Sequence, residues 1–259
     1  MLRKITKEDL AEATSTGPFC AVRMLADGKT VVKTGELTRM AEANTMKYIR
    51  QHTKIPVPEV YNAYADEETG HVRIVMERIE GETLQDAWDS YNDEEKETVA
   101  QQLRGYFDEL RQIKGSYIGS VDGSACDDQY FSDNIGGYGP YQSEADFNQG
   151  LITAWSKGRE DDPFTQLLCR IQVQCMKGHS IVMTHNDFAP RNIMVRGTQV
   201  VAVLDWEFAG FYPEYWEYCK ALWRPSWDSS WIKDGLVERV LDPHLQEAAV
   251  ILNTSYTIW

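Results

Sequence analysis

The sequence predicts an α+β protein with two lobes, a small N-terminal lobe with an antiparallel sheet plus a helix and a larger, mostly helical C-terminal lobe. Three observations predict this arrangement. Strand-like runs joined by short polar turns dominate residues 1–80, and amphipathic helical runs dominate residues 81–259. A group of short apolar strands within 181–208 interrupts those helices. We therefore expect one compact unit with a lobe boundary near residue 81.

Composition limits the classes of partner. The formal net charge of −14 argues against a protein that binds nucleic acid or an anionic membrane by long-range attraction, so a cationic or neutral small molecule is the expected partner. Five cysteines without a CxxC pair indicate reduced thiols. The charged N-terminus has no apolar signal region, and no apolar run is long enough to span a bilayer. We predict a soluble, cytoplasmic protein of unknown oligomeric state.

The N-terminal lobe is predicted to contain five strands, four of them in two hairpins, and one main helix after a short first helix. Thr6 and Asp9 are spaced as a capping-box variant for that first helix. Pro56 and Pro58 then end the main helix and hold the following connection extended. The expected elements are the helix Lys7–Ala13, the hairpin of Phe19–Leu25 with Thr30–Lys33, the helix within 39–52, and the hairpin of Val60–Ala65 with His71–Glu77.

The C-terminal lobe is predicted to be helical on both sides of the short strands. Asn92 and Glu95 are spaced as N-cap and N3 residues of a long helix. Apolar residues at steps of three and four give that helix one buried stripe, formed by Val99, Leu103, Tyr106, Leu110 and Ile113. The other expected helices are Glu82–Ser90, Ser143–Gly158, Phe164–Met176 with Asp162 and Pro163 at its start, Tyr212–Leu222, Ser226–Ile232 and His244–Ile258.

The short strands carry the polar residues with the strongest chemical pattern. Strands Ile181–Met183, Ile193–Val195 and Val200–Leu204 bracket a loop that contains His185, Asp187 and Asn192 and lead directly to Asp205. Carboxylate and amide oxygens are ligands that suit Mg²⁺, which usually takes one or two carboxylates together with substrate phosphates. An Asp followed five residues later by an Asn is also the spacing of a kinase catalytic loop.

The segments HNDFAPRN and LDWEF resemble the aminoglycoside phosphotransferase and choline kinase family, whose members share the protein-kinase-like fold. The family's loop usually has Gly where this sequence has Asn186. An Asn tolerates a positive φ better than most residues, so the loop need not be distorted. The resemblance implies transfer of the γ-phosphoryl group of ATP to a hydroxyl of a small molecule, with amine-bearing alcohols and sugars as one acceptor class.

The resemblance also implies roles for individual residues. Asp187 would be the catalytic base, and Asn192 and Asp205 would hold Mg²⁺. In the N-terminal lobe, Lys33 would contact the phosphates of ATP and Glu42 would pair with it. Backbone groups near Glu77 and Ile79 would bind the adenine. His185 is expected to brace the loop, and Arg191 to contact either a phosphate or a nearby carboxylate.

Several interpretations stay open. Ser15, Thr16 and Gly17 lack the multi-glycine pattern of protein kinases and indicate either a phosphate-binding turn or a plain polar turn. The segment Gly115–Gly139 either lines an acceptor site or is a surface excursion. Aromatic and acidic residues of 206–231 form either a cation-binding wall or a packed core. The alternative function is a kinase-like fold used for binding or for a reaction other than phosphoryl transfer.

Overall fold

The computed structural model describes residues 4–16, 22–128, 138–223, 225–226 and 228–255. Its N-terminal lobe contains one antiparallel five-stranded sheet in the order β1-β2-β3-β5-β4. The helices are α1 (Lys7–Glu12) and α2 (Met40–His52), and the strands are β1 (Thr14–Thr16), β2 (Val22–Met24), β3 (Thr30–Gly35), β4 (Val60–Ala65) and β5 (Val72–Glu77). The predicted α+β fold with a sheet-based first lobe is therefore confirmed.

The C-terminal lobe is mostly helical and holds two small sheets, β6-β8-β9 and β10-β7. Its strands are β6 (Glu82–Thr83), β7 (Ile181–Thr184), β8 (Ile193–Arg196), β9 (Gln199–Val203) and β10 (Gly210–Pro213). Its helices are α3 (Leu84–Ala87), α4 (Asp93–Gln112), α5 (Glu144–Ser156), α6 (Pro163–Cys175), α7 (Trp216–Trp223), α8 (Ser230–Lys233), α9 (Leu236–Val240) and α10 (Leu245–Ser255). In the part of the chain that the structure describes, no helix combines the length and the apolar character needed to cross a membrane.

Helix α4 is the longest helix and forms as its sequence predicts. Asn92 Oδ1 accepts a hydrogen bond from Glu95 N at 3.0 Å, and Glu95 Oε2 accepts one from Asn92 N at 2.9 Å. This reciprocal pair satisfies two N–H groups that the first helical turn leaves without partners. The expected stripe is buried at Val99, Leu103 and Leu110, but Phe107 is buried in place of Tyr106, which is half-buried.

Two elements differ from the sequence prediction because of long-range pairing. The helix expected from Tyr212 begins only at Trp216, since residues 210–213 pair with β7 as strand β10. Ser15 and Thr16, expected in a polar turn with Gly17, instead belong to strand β1, which pairs with β2. Both segments gain backbone partners from another strand, which a local pattern does not show. The start of the predicted strand Phe19–Leu25, up to residue 21, lies outside the described residues.

The aromatic residues of the segment 206–218, which follows β9, form a packed core. Trp206, Tyr212, Tyr215, Trp216 and Tyr218 are each at most 1 % exposed. Their rings contact one another and other buried rings: those of Tyr212 and Trp216 stack with centroids 5.9 Å apart, and that of Trp216 meets Phe147 edge to face at 5.0 Å. Of the two interpretations of this segment, the described residues support the core.

The connection between the lobes passes directly over β8. Gly81 has a φ of +148°, and a Cβ atom there would lie 2.6 Å from the carbonyl oxygen of Val195. Only glycine allows this approach. Residues 82–83 then pair with β8 as strand β6, so the start of the second lobe is fixed to its central strands. A further contact joins the lobes where Val203 N donates to Pro56 O at 2.8 Å.

Candidate active site between the lobes

The loop after β7 is shaped by a buried histidine. His185 Nε2 lies 2.9 Å from the carbonyl oxygen of Leu204, which can only accept, so Nε2 carries the hydrogen. The other ring nitrogen, Nδ1, accepts from Asp187 N at 3.2 Å. Burial lowers the pKa of His185, which keeps the ring neutral in these two roles. His185 therefore braces the loop, as predicted, and has no nitrogen left to act as a base.

Asn186 adopts the backbone conformation for which glycine is usual. Its φ is 69°, and its side chain fixes that conformation from both ends of the amide. Nδ2 donates to Phe208 O at 3.1 Å, and Oδ1 accepts from the indole nitrogen of Trp216 at 2.9 Å. The departure from the family's usual glycine is thus accommodated by local hydrogen bonds.

A buried glutamate on α7 holds the backbone of the same loop. Glu217, on α7, accepts the backbone N–H groups of His185 at 2.6 Å and Asn186 at 3.0 Å. Burial raises the pKa of Glu217 to about 7, although the two N–H groups favour its charged form. Sequence reasoning placed this residue among the acidic residues of the aromatic segment and missed its role, because the contact crosses 31 or 32 residues of sequence.

Asp187 has a carboxylate that is held by two neighbours. Arg191 donates to Oδ1 at 2.7 Å and to Oδ2 at 2.6 Å, and Asn192 Nδ2 donates to Oδ2 at 2.8 Å. The Asp187 side chain is 3 % exposed and that of Arg191 is 40 % exposed, so the pair joins a buried carboxylate to a partly exposed guanidinium. Of the two contacts expected for Arg191, the structure contains the one with a carboxylate.

Asn192 and Asp205 are brought together by the strands that carry them. Leu204 N, adjacent to Asp205, donates to the carbonyl oxygen of Asn192 at 2.7 Å. Asp205 has a φ of 64°, which turns the chain sharply at the end of this segment. The neighbouring amide and carboxylate oxygens, together with those of Glu207, are a donor set that fits a hard divalent cation such as Mg²⁺.

Lys33 joins the two lobes at this point. Its Nζ lies 3.0 Å from Glu42 Oε1 on α2, 2.8 Å from Asp205 Oδ1 and 2.8 Å from Glu207 Oε2. Burial alone would lower the pKa of Lys33, but the three carboxylates outweigh it and hold the pKa above its ordinary value. The lysine is therefore a permanent cation facing the space between the lobes.

Glu207 is the site residue that sequence reasoning misplaced, because it was grouped with the acceptor-side acids. Burial raises its pKa first, repulsion from Asp205 adds to that effect, and Lys33 opposes it. Its position two residues after Asp205 is the local signal, and by itself that position does not distinguish Glu207 from a solvated acid. Glu42 was predicted as a Lys33 partner and lies where expected. Its own pKa is also raised by burial, against the attraction of Lys33.

The remaining predicted positions lie in the N-terminal sheet, in the connection that follows it and in the excursion after α4. Glu77 ends β5 beside Thr30, and Ile79 follows it in the connection between the lobes. Ser15 and Thr16 lie in β1, whereas Gly17 is outside the described residues. The excursion Gly115–Gly139 is described up to Asp128 and again from residue 138.

The described part of that excursion is anchored beside the loop that holds Asp187. The buried carboxylate of Asp128 accepts from Lys220 Nζ at 2.6 Å and from Trp216 Nε1 at 3.2 Å. The same indole N–H also reaches Asn186 Oδ1. One buried network therefore connects the excursion to the loop that holds Asp187.

Comparisons with known proteins agree with this architecture. The model of the phosphotransferase enzyme family (APH) matches residues 24–248. An aminoglycoside phosphotransferase APH(4)-Ia mutant, in a ternary complex with ADP and hygromycin B, superposes with a TM-score of 0.59 at 16% identity, covering 95% of this chain and 92% of that one. The streptomycin–ATP complex of APH(2″)-IIa gives 0.61 at 15% identity, with 95% and 84% covered. At this identity the superpositions establish a shared fold.

Curated relatives match over a short stretch. Two subtelomeric hrmA-associated cluster proteins of Aspergillus fumigatus, one each from strains CBS 144.89 and ATCC MYA-4609, are 37% identical over 68 residues. The match spans 26% of this chain and 13% of either relative's length. The family model, by contrast, covers most of the chain and includes the lysine, the loop and the acidic segment described above. This chain belongs to the phosphotransferase enzyme family.

Proposed function

We propose that this protein transfers the γ-phosphoryl group of ATP to a hydroxyl of a small molecule bound between its lobes. The observation that carries the proposal is the contact of Lys33, on the N-terminal sheet, with Asp205 and Glu207 of the C-terminal lobe, beside Asp187 and Asn192. A cation, a set of oxygen ligands and a buried carboxylate are the groups that phosphoryl transfer requires.

Each group has a role that its surroundings support. Lys33 binds the phosphates and is oriented by Glu42. Backbone groups near Glu77 and Ile79 bind the adenine edge. Asn192 and Asp205 hold Mg²⁺, which neutralises the charge of the phosphates when it is bound.

Asp187 orients the acceptor hydroxyl and accepts its proton. The hydrogen bonds from Arg191 and Asn192 fix the carboxylate in one orientation, so an incoming hydroxyl meets a prepositioned acceptor. Because the transferred group passes between aligned oxygens, the protein contributes position and charge rather than a covalent intermediate.

A neutral or cationic acceptor is the class we propose. The net charge of −14 repels anionic acceptors and attracts amines. Structural neighbours were solved with the amine-bearing antibiotics hygromycin B and streptomycin.

The four described cysteines, Cys126, Cys169, Cys175 and Cys219, are free thiols, which supports the predicted cytoplasmic location.

Thermal unfolding with and without MgATP tests the nucleotide site. A ligand that binds only the folded state stabilises it by about 2.7 kcal/mol at 100 times its Kd, so millimolar MgATP should raise the Tm of the wild type. Asp205→Ala should abolish most of the increase. Asp228→Ala, at a side chain that is 95% exposed, should keep it.

Two outcomes would contradict the proposal. The first is an unchanged wild-type Tm at millimolar MgATP. The second is an increase that Asp205→Ala leaves intact. If the nucleotide binds, acceptors are then screened by ATP consumption, and the product mass must increase by one phosphoryl group. Any other mass change would assign a different reaction to the same fold.

A further inference from the structure

A second cluster of polar side chains lies in the C-terminal lobe, outside the candidate active site. It consists of His179 before β7, Glu144 at the start of α5, His244 before α10 and Glu247 within α10. These four side chains are only 11% to 19% exposed. Donor atoms of His179, His244 and Glu247 all lie within 4.8 Å of one another.

Each ring nitrogen of His179 faces a carboxylate oxygen, and a neutral ring can donate a hydrogen to only one of them. Its Nδ1 lies 2.6 Å from Glu144 Oε1, and its backbone N donates to the other oxygen of that carboxylate at 3.1 Å. Its Nε2 faces Glu247 Oε1 at 3.3 Å. A neutral imidazole has one N–H, so it can donate to only one of these carboxylates. Either a second proton or a metal ion must lie at the Nε2 side.

The metal ion satisfies more of the cluster than the proton does. The two carboxylates of the cluster balance the charge of one divalent ion, and the opposite charges of Arg111 and Glu214 nearby offset each other. A single imidazolium would leave one carboxylate of this largely buried cluster unbalanced. A proton at the Nε2 side of His179 also would not bind the ring nitrogen of His244, whereas a metal ion in the centre of the cluster would.

We propose that His179, His244 and Glu247 bind a divalent transition-metal ion of the Zn²⁺ class. Imidazole nitrogens and one carboxylate suit Zn²⁺, whose tetrahedral bonds place ligand atoms about 3.3 Å apart. The His179–Glu247 separation of 3.3 Å has this value. His244 Nδ1 is 3.9 Å from the other oxygen of that carboxylate, Oε2, and the donor atoms of the three residues lie within 4.8 Å of one another. Side-chain movements of about 1 Å bring them to tetrahedral spacing. A water molecule takes the fourth position.

Glu144 has the supporting role that metal-bound histidines generally require. A ligand histidine usually donates its other N–H to a carboxylate, which fixes the ring and raises its basicity. Glu144 does this to His179 through the short Nδ1 contact. The metal would then tie α10 to the start of β7, the strand that ends at the catalytic loop. Its effect is on stability, independent of nucleotide.

Zinc binding to the purified full chain tests the proposal without ATP or acceptor. We expect one Zn²⁺ per chain, measured by competition with a chromophoric chelator, and a higher Tm with zinc. Co²⁺ in place of Zn²⁺ should give the visible absorption of a tetrahedral site with nitrogen ligands. Glu144→Gln should weaken binding by about 10 to 100-fold, and His244→Ala or Glu247→Gln by at least as much.

His52→Ala is the matched control, because it removes an exposed histidine at the end of α2 and should leave zinc affinity unchanged. Binding is measured at a temperature where circular dichroism shows every variant folded. The proposal is overturned if the wild type takes up no stoichiometric zinc at micromolar concentration. It is equally overturned if the His244 and Glu247 variants bind zinc as the wild type does, or if nitrogen NMR shows both ring nitrogens of His179 protonated in the presence of zinc.

Discussion

The carboxylate of Asp187 is engaged by Arg191 and Asn192 before any acceptor arrives. Asp187→Asn keeps the size of the side chain but removes the group that accepts the proton. We expect the rate of phosphoryl transfer to fall by about 10² to 10⁴-fold, while MgATP still raises the Tm. Steady-state kinetics and thermal unfolding measure the two effects separately. Asp89→Asn, at an exposed position on the same lobe, is the control. Wild-type turnover in Asp187→Asn would refute the role of Asp187 as base.

The raised pKa of Glu217 has a consequence for stability as a function of pH. Burial lifts it from 4.5 to about 7, so the folded protein holds this proton more tightly than the unfolded chain does. The stabilisation is complete below pH 4.5 and is lost as the pH rises through about 7. Between pH 5 and pH 8, wild type should lose roughly 3 kcal/mol more of its unfolding free energy than Glu217→Gln does.

Urea unfolding at a series of pH values measures that difference. The comparison concerns the change with pH, because Glu217→Gln also loses one of the two acceptors for the loop and is less stable throughout. The exposed Glu94→Gln should follow the wild-type curve. Parallel curves for wild type and Glu217→Gln would show that Glu217 does not titrate in this range.

At the residue level, the sequence predicted contacts that follow from local spacing or from family resemblance. Lys33 with Glu42 is of this kind, although the role of this pair in nucleotide binding stays a prediction. The contact of Lys33 with Glu207 crosses 174 residues, and no local pattern distinguishes Glu207 from a solvated acid. Such partners depend on how the lobes pack, which the spacing along the chain does not encode.

Helix α4 gives a prediction at the level of a single element. Asn92→Ala removes the side-chain oxygen that accepts from Glu95 N, and it weakens the reciprocal hydrogen bond from the backbone N of residue 92 to Glu95 Oε2. We expect a loss of about 1 kcal/mol in the free energy of unfolding. Thr98→Ala, at an exposed position on the same helix, should change it by less. Chemical denaturation compares the two, and an equal loss in both variants would mean that the cap does not determine the stability of α4.

Elements with strong internal periodicity or caps were predictable, and those that depend on a distant partner were not. Helix α6 begins with Asp162 as N-cap and Pro163 in the first turn, as expected. Strand β10 contains Gly210 and Pro213, which disfavour a strand, and forms because β7 offers it an edge. Helix α9, Leu236–Val240, was not predicted because five residues are too few to show a period.

At the level of the whole molecule, the positive charge of Lys33 is shared by three carboxylates, one from the N-terminal lobe and two from the C-terminal lobe. Lys33→Met leaves these carboxylates close together with their partner removed. Because the lysine side chain is 9% exposed, we expect a loss of about 3 kcal/mol in unfolding free energy and a smaller effect of MgATP on the Tm. Lys29→Met, an exposed neighbour on the same hairpin, should do neither. Unchanged stability in Lys33→Met would contradict a net contribution from this cluster.

The two-lobe organisation was predictable as a whole because composition and periodicity change near residue 81. The relative placement of the lobes was not, since it depends on single contacts such as Val203 N with Pro56 O.

The crossing of Gly81 over β8 also determines how the lobes can move. From Gly81 onward the chain is paired with the strand that follows the loop of Asp187, and a Cβ atom at Gly81 would lie only 2.6 Å from Val195 O, so the chain passes too close to β8 to slide or twist there. A rotation that opens or closes the cleft must then bend the chain at residues 78–80, just after β5. Ile79 lies at the centre of that short pivot. If its backbone also holds the adenine, nucleotide occupancy and cleft closure share the same three peptide units, and the release of spent nucleotide would proceed at the rate at which the pivot opens.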